Sequence, residues 1–292
     1  MINRILVSIV ALVCASFVFA GEEVNRSAPL EQESRVTIEN TRGKIQVIGW
    51  EKAEIQVLGT LDDLAKKLAF DVRKDRAHIE VEMPRRVEEG EGSNLTIYVP
   101  FQAKVLLQDV SSEIRLENVK GGGWLKAVSG DFHVMETEGD MKLDTVSGNI
   151  FLTNHLGKLE IESISGNVQG STKSRFVEAK SISGNIDIES PSIEAVEISS
   201  ISGDLILQGP FEKRANVYLK TVSGDVSVTM VGPVSADVKI TSQARSDMAL
   251  DFEKSGIGLI ELRGKKLEQT IGGGDGRLRI TTVTGQVDLL QK

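Results

Sequence analysis

A four-residue string recurs along this chain and decides its fold. The copies are Val128-Ser129-Gly130-Asp131, Val146-Ser147-Gly148-Asn149, Ile164-Ser165-Gly166-Asn167, Ile182-Ser183-Gly184-Asn185, Ile201-Ser202-Gly203-Asp204 and Val222-Ser223-Gly224-Asp225. Their glycines are 18, 18, 18, 19 and 21 residues apart. A degenerate copy, Val110-Ser111-Ser112-Glu113, precedes them, and Val283-Thr284-Gly285-Gln286 follows near the end. Self-similarity at a fixed period is the signature of a repeat architecture.

Apolar residues alternate with polar ones on both sides of each string. Met141 and Leu143 precede Val146, and Ile150 and Leu152 follow it. Period-two alternation is typical of a strand with one buried face, so each repeat predicts two short strands. Two non-apolar residues separate the second apolar residue from the third. We expect a bend there that turns the third apolar residue inward. We expect the glycine on the inward face, where a Cβ would be crowded or φ is positive.

Stacking of the repeats explains why identical residues recur at a fixed offset. A unit of 18 residues cannot bury its own apolar face, whereas stacked units can. The sequence therefore predicts an all-β, single-domain parallel β-helix, or solenoid, of about 18-residue coils. Columns of serine and of Asp/Asn would hydrogen-bond along the stack. The alternative is an antiparallel β-sandwich, whose hairpins also alternate but need no fixed offset.

The interior ladder yields a mutational expectation. If Ile182 faces inward, Ile182→Asp should destabilise the fold by several kcal/mol, because it buries a charge. Glu178→Ala, at an outward position, should stay within about 0.5 kcal/mol.

Residues 21–292 are expected to divide into four segments, one of which contains the repeats. We expect a flexible N-terminal segment over 21–34, an N-terminal cap over 35–103, regular coils over 104–230, and irregular C-terminal coils with a cap over 231–292. The N-terminal cap should contain strands at 35–38, 43–47, 53–57, 77–81 and 95–99, a short helix over 61–68, and a charged loop over 85–93. Beyond the regular coils, strands are expected at 236–241, 248–252 and 278–281, with a flexible turn over 272–276.

The first twenty residues resemble an export signal. Arg4 is followed by an uncharged, mainly apolar run over 5–19, and Val18-Phe19-Ala20 fits a signal-peptidase site before Gly21. A membrane anchor is the alternative, but the apolar run is shorter than the roughly 20 residues that span a bilayer. We expect cleavage, which predicts an exported protein, periplasmic or extracellular. The mature chain would then lack cysteine, since Cys14 lies in this segment.

The composition argues against nucleic-acid and membrane partners. The net charge is −8, and nucleic acid and anionic lipid both require clustered Lys and Arg. We therefore expect no nucleic acid and no membrane insertion of the mature chain. Low aromatic content, 4%, with 28 glycines suits a repetitive β architecture.

The chain resembles a bacterial family of proposed adhesins of unknown function with an adhesin-like β-helix domain. The residues that carry the resemblance are Asn40-Thr41-Arg42-Gly43-Lys44-Ile45, Leu95-Thr96-Ile97-Tyr98-Val99-Pro100 and the repeated [VI]-S-G-[DN] strings. The resemblance covers nearly all of residues 35–292 and implies a β-helix and extracytoplasmic placement. It implies no catalytic residues.

Candidate sites are few, and we predict no catalytic, cofactor-binding or metal-binding residue. Asp204 and Asp225 would stack and could ligate Ca²⁺ with their neighbours. A column of turn residues is the preferred interpretation, because three of the six positions are asparagine. The three histidines, His78, His133 and His155, lack metal-ligand spacing and are predicted to be surface residues. Trp50 and Trp124 are candidates for stacking on carbohydrate, or else cap and interior residues.

These observations favour a non-catalytic exported solenoid that acts as an adhesin-like or surface binding protein for an unknown protein or glycan. Two alternatives stay open. One is a periplasmic scaffold or sensor partner in an envelope-stress pathway. The other is a carbohydrate-active enzyme on a β-helix, a fold that hosts such enzymes.

Overall fold

The structure, a computed structural model, describes residues 21–85, 90–252 and 257–292. This part of the chain forms twenty-five strands and contains no helix. No membrane-spanning helix is therefore found among the described residues. The all-β prediction is confirmed. The strands are β1 (Glu23–Pro29), β2 (Arg35–Glu39), β3 (Arg42–Trp50), β4 (Glu54–Thr60), β5 (Lys67–Arg73), β6 (Arg76–Glu82), β7 (Ser93–Pro100), β8 (Lys104–Gln108), β9 (Ser111–Glu117), β10 (Gly123–Ala127), β11 (Phe132–Met135), β12 (Met141–Thr145), β13 (Ile150–His155), β14 (Lys158–Ser163), β15 (Val168–Thr172), β16 (Phe176–Lys180), β17 (Ile186–Glu189), β18 (Ile193–Ser199), β19 (Leu205–Gly209), β20 (Phe211–Lys220), β21 (Val226–Met230), β22 (Ala236–Phe252), β23 (Ile257–Ile271), β24 (Gly276–Thr282) and β25 (Val287–Gln291).

Each coil contributes one strand to each of two facing sheets. In the first sheet, Leu143 of β12 pairs in parallel with Leu125 of β10 on one side and with Ile161 of β14 on the other. In the second sheet, Ile150 of β13 lies between Phe132 and Val168 in the same way. The solenoid prediction is therefore confirmed. The antiparallel sandwich is wrong for the regular coils, because all of their strand pairs are parallel.

The strand order shows that both ends of the solenoid fold back. The first sheet runs β5-β6-β2-β8-β10-β12-β14-β16-β18-β20-β24-β22, and the second runs β1-β4-β7-β3-β9-β11-β13-β15-β17-β19-β21-β25-β22. The coil β2–β3 is thus stacked between the coil β6–β7 and the coil β8–β9. The last coil, β24–β25, is stacked between the coil β20–β21 and strand β22. Antiparallel strands close the ends, as β1, β4 and β5 do at the N-terminal end and β23 does against β22. A closing strand pairs backbone groups that an open stack would expose.

The N-terminal segment departs from expectation. Residues 21–34 were expected to be flexible, but β1 pairs antiparallel with β4 along its whole length. Val24 and Leu30 are buried, and the Leu30 N–H donates to the carbonyl of Ala53 at 3.0 Å. Two isolated apolar residues in a polar stretch gave too weak a sequence pattern to predict a strand.

The predicted helix over 61–68 is also absent. Asp62 accepts hydrogen bonds from the Leu64 N–H at 2.8 Å and from Arg42, which fixes a turn instead. The chain then enters β5, where Leu68 pairs with Val81 of β6. Tertiary pairing overrides helix propensity here. Part of the expected loop over 85–93, residues 86–89, lies outside the described residues.

The C-terminal strands are longer than expected. The segments 236–241 and 248–252, expected as separate strands, are parts of the single strand β22. Its first half pairs with β24 in the first sheet, and its second half pairs with β25 in the second sheet. One long strand therefore crosses the end of both sheets.

The main chains of successive coils approach closely where the first-sheet strand turns into the second-sheet strand, a turn here called the glycine corner. A Cβ built on Gly148, Gly166 or Gly184 would lie 1.8–2.0 Å from the carbonyl oxygen of the glycine one coil earlier. No side chain fits at that distance. The crowding expected from the sequence is present in all of the regular coils, whereas positive φ occurs at Gly130 but not at Gly148, Gly166 or Gly184.

The third apolar residue of the repeat faces outward, so the inward prediction is wrong. Ile182 is 46% exposed, and its equivalents are exposed to a similar degree. The buried residue is the one before it, Ser181, whose Oγ accepts the Gly184 N–H at 2.8 Å. Thr145, Ser200 and Thr221 do the same in their coils. Strand alternation therefore continues unbroken through a small hydroxyl residue that holds the corner.

The corner crowding predicts a large effect for one added methyl group. Gly184→Ala should lower the free energy of unfolding by at least about 2 kcal/mol, because the coils must move apart. The control is Gly273→Ala, where the nearest atoms are side-chain oxygens at 3.2 and 3.3 Å. It should cost less than about 1 kcal/mol. Urea denaturation measures both, and equal effects would contradict the close backbone approach.

The corrected orientation predicts a contrast between two neighbouring isoleucines. Ile182→Asp should now cost less than about 1 kcal/mol, since its side chain reaches water. Ile186→Asp should cost several kcal/mol, because Ile186 is fully buried. Thermal and urea unfolding measure the loss of stability in both variants. A larger loss for Ile182→Asp would restore the inward assignment.

Candidate functional site

The serine column serves the fold. The Ser147 N–H donates to the Val128 carbonyl at 3.0 Å, and its hydroxyl reaches the same oxygen at 3.3 Å. Ser165 and Ser183 repeat this pattern on Val146 and Ile164. These hydroxyls are therefore occupied in joining coils, as the recurrence of serine in register suggested.

The Asp/Asn column also joins coils. The Asn149 N–H donates to the Asp131 carboxylate at 2.8 Å, and the Asp225 N–H donates to the Asp204 carboxylate at 2.9 Å. Asn167 and Asn185 continue the column. Aspartate and asparagine both supply the required acceptor oxygen, which explains why they interchange. The acceptors thus serve the next coil's main chain rather than their own backbone.

The calcium alternative gains no support from the geometry. Across residues 21–85, 90–252 and 257–292, no group of three or more His, Cys, Asp or Glu side chains could hold a metal ion. Asp204 and Asp225 lie in adjacent coils, and the Asp225 main-chain N–H donates to the Asp204 carboxylate.

The three histidines do not form a cluster, and one of them is buried rather than at the surface as predicted. His78 is part-exposed, 3.5 Å from a Glu80 oxygen, and His133 stacks on Phe151 with ring centroids 4.9 Å apart. His155, predicted at the surface, is fully buried at the end of β13. Its Nδ1 lies 2.9 Å from the Thr137 hydroxyl. Burial lowers the pKa of His155 below 6.5, because the interior disfavours the charged ring.

This burial predicts that the protein loses stability in mild acid. The unfolded chain binds a proton at His155 more readily than the folded chain does. The stabilisation is therefore complete above the unfolded pKa of 6.5 and falls as the pH drops through that value toward the folded pKa. The free energy of unfolding should decrease from about pH 7.5 to about pH 5.5 in the wild type. Urea titration should show a smaller decrease for His155→Gln, and an identical decrease would contradict the assignment.

A buried polar cluster replaces the glycine corner in the degenerate copy. Ser112 occupies the glycine position, and its hydroxyl donates to Asp109 at 2.6 Å while accepting from the Asn40 amide at 2.8 Å. Burial raises the pKa of the Asp109 carboxyl, although the hydrogen bonds from Ser112 oppose the shift. The cluster is buried below the surface and joins the coil β2–β3 to the coil β8–β9. It therefore has a structural role.

Trp50 is covered on the surface of the N-terminal coils. Its ring stacks on Tyr98 with centroids 4.9 Å apart, and the Lys52 ammonium lies 4.4 Å from its centroid. Its Nε1–H donates to the Glu54 carbonyl at 2.8 Å. Because these groups already occupy the ring, Trp50 offers little surface for a ligand.

Trp124 is half-buried, like Trp50, and borders a cavity. It lies on the outer face of the first sheet, between Leu106 and Lys142 in neighbouring strands. Its Nε1–H donates to the Asp144 carboxylate at 2.8 Å, which fixes the ring orientation. The ring borders a cavity of about 290 Å³. The other charged residues lining the cavity are Lys104, Asp140, Lys158 and Glu160.

Ion pairs organise the polar wall of this cavity. Lys142 lies 3.3 Å from a Glu162 oxygen and 3.6 Å from Asp144. Although partial burial opposes it, the attraction of these carboxylates raises the pKa of Lys142. Lys158 pairs with Glu160 and holds the pKa of that carboxyl below its usual value. The wall therefore presents oriented donors and acceptors beside an aromatic face, which is an arrangement suited to a sugar ring.

Comparison with known proteins finds one family model that covers most of the chain. The family model described as Toastrack DUF4097 matches residues 32–290. No curated protein matches the chain. Among solved structures, a proposed adhesin from Bacteroides fragilis is 14% identical, with 92% of this chain and 97% of that chain covered and a TM-score of 0.37. A proposed cell adhesion protein from Clostridium sporogenes is 11% identical, with 93% and 100% covered and a TM-score of 0.24.

Proposed function

We propose that this chain, which belongs to the Toastrack DUF4097 family, is a non-catalytic exported binding protein that holds a glycan beside Trp124. The observation that carries the proposal is the Trp124 cavity, where an oriented indole adjoins paired charges on the outer face of the first sheet. A pyranose ring has an apolar face that packs on an indole and hydroxyl groups at its edge. Lys158, Glu160 and Asp140 would meet those hydroxyls.

The use of the repeat's polar residues supports a binding role over catalysis. Serine and carboxylate side chains are the usual nucleophiles and acids of hydrolases, but here the repeated ones hydrogen-bond to neighbouring coils. The outward-facing columns vary in charge from coil to coil, because their side chains are not needed for hydrogen bonds to the main chain of neighbouring coils. A screen for polysaccharide turnover tests the enzyme alternative, and turnover by the purified protein would favour it.

Binding should depend on the Trp124 ring. Trp124→Ala should weaken binding by tenfold or more, about the contribution of one aromatic–sugar stack, while Trp124→Phe retains part of it. The control is Tyr218→Ala, an aromatic in the same outer column several coils away. A glycan array with neutral and acidic sugars identifies the ligand, and calorimetry measures the variants. Unchanged binding by Trp124→Ala would place the ligand elsewhere.

Export is the second part of the proposal, and the apolar run over 5–19 before Ala20 supports it. Mass spectrometry of the native protein should find Gly21 at the mature N-terminus. Cell fractionation then separates two roles. Recovery from the medium or outer surface fits an adhesin-like role, whereas recovery from the periplasm with a defined protein partner favours an envelope scaffold or sensor. Recovery from the cytoplasm with Met1 intact would contradict export.

A further inference from the structure

The glycine corners expose a continuous line of aliphatic side chains, here called the aliphatic ridge. Six regular coils contribute Val128 (50% exposed), Val146 (40%), Ile164 (45%), Ile182 (46%), Ile201 (51%) and Val222 (38%). Val110, at 47%, extends the line by one coil. Successive coils are spaced by about 4.8 Å, so these seven residues span about 29 Å. Soluble monomers seldom expose so long an apolar line, and such lines mark interaction surfaces.

The corner itself does not require an aliphatic residue at this position. Only the ridge residue's main chain serves the corner, as when the Val128 carbonyl accepts from Ser147. A serine or threonine would supply the same carbonyl and keep the surface polar. The ridge therefore calls for an explanation other than coil stacking.

Two columns of differing charge lie beside the ridge. The outward residues just before the corner form the mixed flank, with Lys126, Lys180 and Lys220 among Asp144 and Glu162. The Asp/Asn column just after the corner forms the acidic flank. In the six regular coils its charged members are Asp131, Asp204 and Asp225, and its other members are asparagines. Glu113 occupies the same position beside Val110.

We propose that the aliphatic ridge is the interface of a homodimer in which two copies lie side by side and point the same way. The two-fold axis would run parallel to the solenoid axis. That symmetry brings ridge against ridge and the mixed flank of one copy against the acidic flank of the other. Residues of the same coil then face each other, so that Lys126 faces the partner's Asp131 and Lys220 faces the partner's Asp225.

The charges distinguish this arrangement from its antiparallel counterpart. In the parallel dimer, Asp144 and Glu162 face asparagines, so no like charges meet. An antiparallel dimer would place the acidic flank against itself, with Asp131 facing the partner's Asp204 or Asp225. Like charges directly opposed are destabilising, so the parallel arrangement is the one that the charges favour.

The narrowness of the ridge sets the strength of the dimer. A specific interface buries about 800 Å² on each partner, and a strip about 29 Å long reaches that area only if both flanks take part. We therefore expect a reversible dimer whose population rises with concentration. The proposal does not depend on glycan binding, because dimerisation is measured without glycan. The mixed flank nevertheless adjoins the Trp124 cavity, since Asp144 accepts from the Trp124 indole and Glu162 pairs with Lys142.

Sedimentation of the mature chain over a range of concentrations tests the ridge. The wild type should shift from monomer to dimer, and the double variant Ile164→Lys/Ile182→Lys should weaken dimerisation by tenfold or more. The control is Leu156→Lys, which introduces the same charge at another exposed aliphatic residue, 48% exposed, at the opposite corner. Circular dichroism checks that every variant is folded. A wild type that remains monomeric throughout, or equal losses in ridge and control variants, would overturn the proposal.

A charge reversal tests the orientation. Lys126→Glu should weaken the dimer severalfold, because the new carboxylate meets the partner's Asp131. The control Lys173→Glu makes the same change at an exposed residue on the opposite corner and should have no effect. In an antiparallel dimer Lys126 would face the partner's Ser199 or Lys220. An unchanged or tighter dimer for Lys126→Glu would therefore overturn the parallel arrangement.

Discussion

The close approach of main chains at the glycine corner is the constraint on which the rest of the structure depends. The carbonyl of each corner glycine occupies the place where the next coil would carry a Cβ. Glycine is therefore required, and it lets the corner lie within hydrogen-bonding reach of its neighbours. The buried Ser/Thr before it, the serine beside it and the Asp/Asn after it each satisfy main-chain groups at that corner. The repeated string is the sequence form of this geometry.

The sequence predicted the parallel stack because in-register stacking places the same requirement on each coil. It misassigned the residue before the repeated serine, because a valine or isoleucine in a regular pattern usually faces inward. Only the small, buried hydroxyl residues show that the inward position lies one residue earlier, and these are Thr145, Ser163, Ser181, Ser200 and Thr221. The helix expected over 61–68 and the surface position expected for His155 failed for a related reason. Pairing with distant strands decided both, and local periodicity carries no information about such pairing.

The candidate sites were only partly accessible from sequence. Trp124 could be named as a possible sugar platform, but its neighbours Leu106 and Lys158 belong to other coils and are brought near it only by stacking. The aliphatic ridge was visible as a column of Val and Ile, yet its exposure depended on the orientation of the corner. In a solenoid the inward columns are fixed by the fold, and the outward columns are available for binding. The Trp124 cavity, proposed for a glycan, and the aliphatic ridge, proposed for a second copy, both use outward columns.

Distances along the stack test the central claim most directly. Residues 21–292 contain no cysteine, so spin labels can be placed at chosen outward positions. Labels replacing Lys126 and Lys220, five coil intervals apart, should be separated by about 24 Å, and labels replacing Asp144 and Lys220 by about 19 Å. Dilution with unlabelled protein removes distances between copies. In-register stacking predicts that the Asp144–Lys220 distance is shorter than the Lys126–Lys220 distance by one coil spacing, about 4.8 Å. Two distances that do not differ by that amount would contradict it.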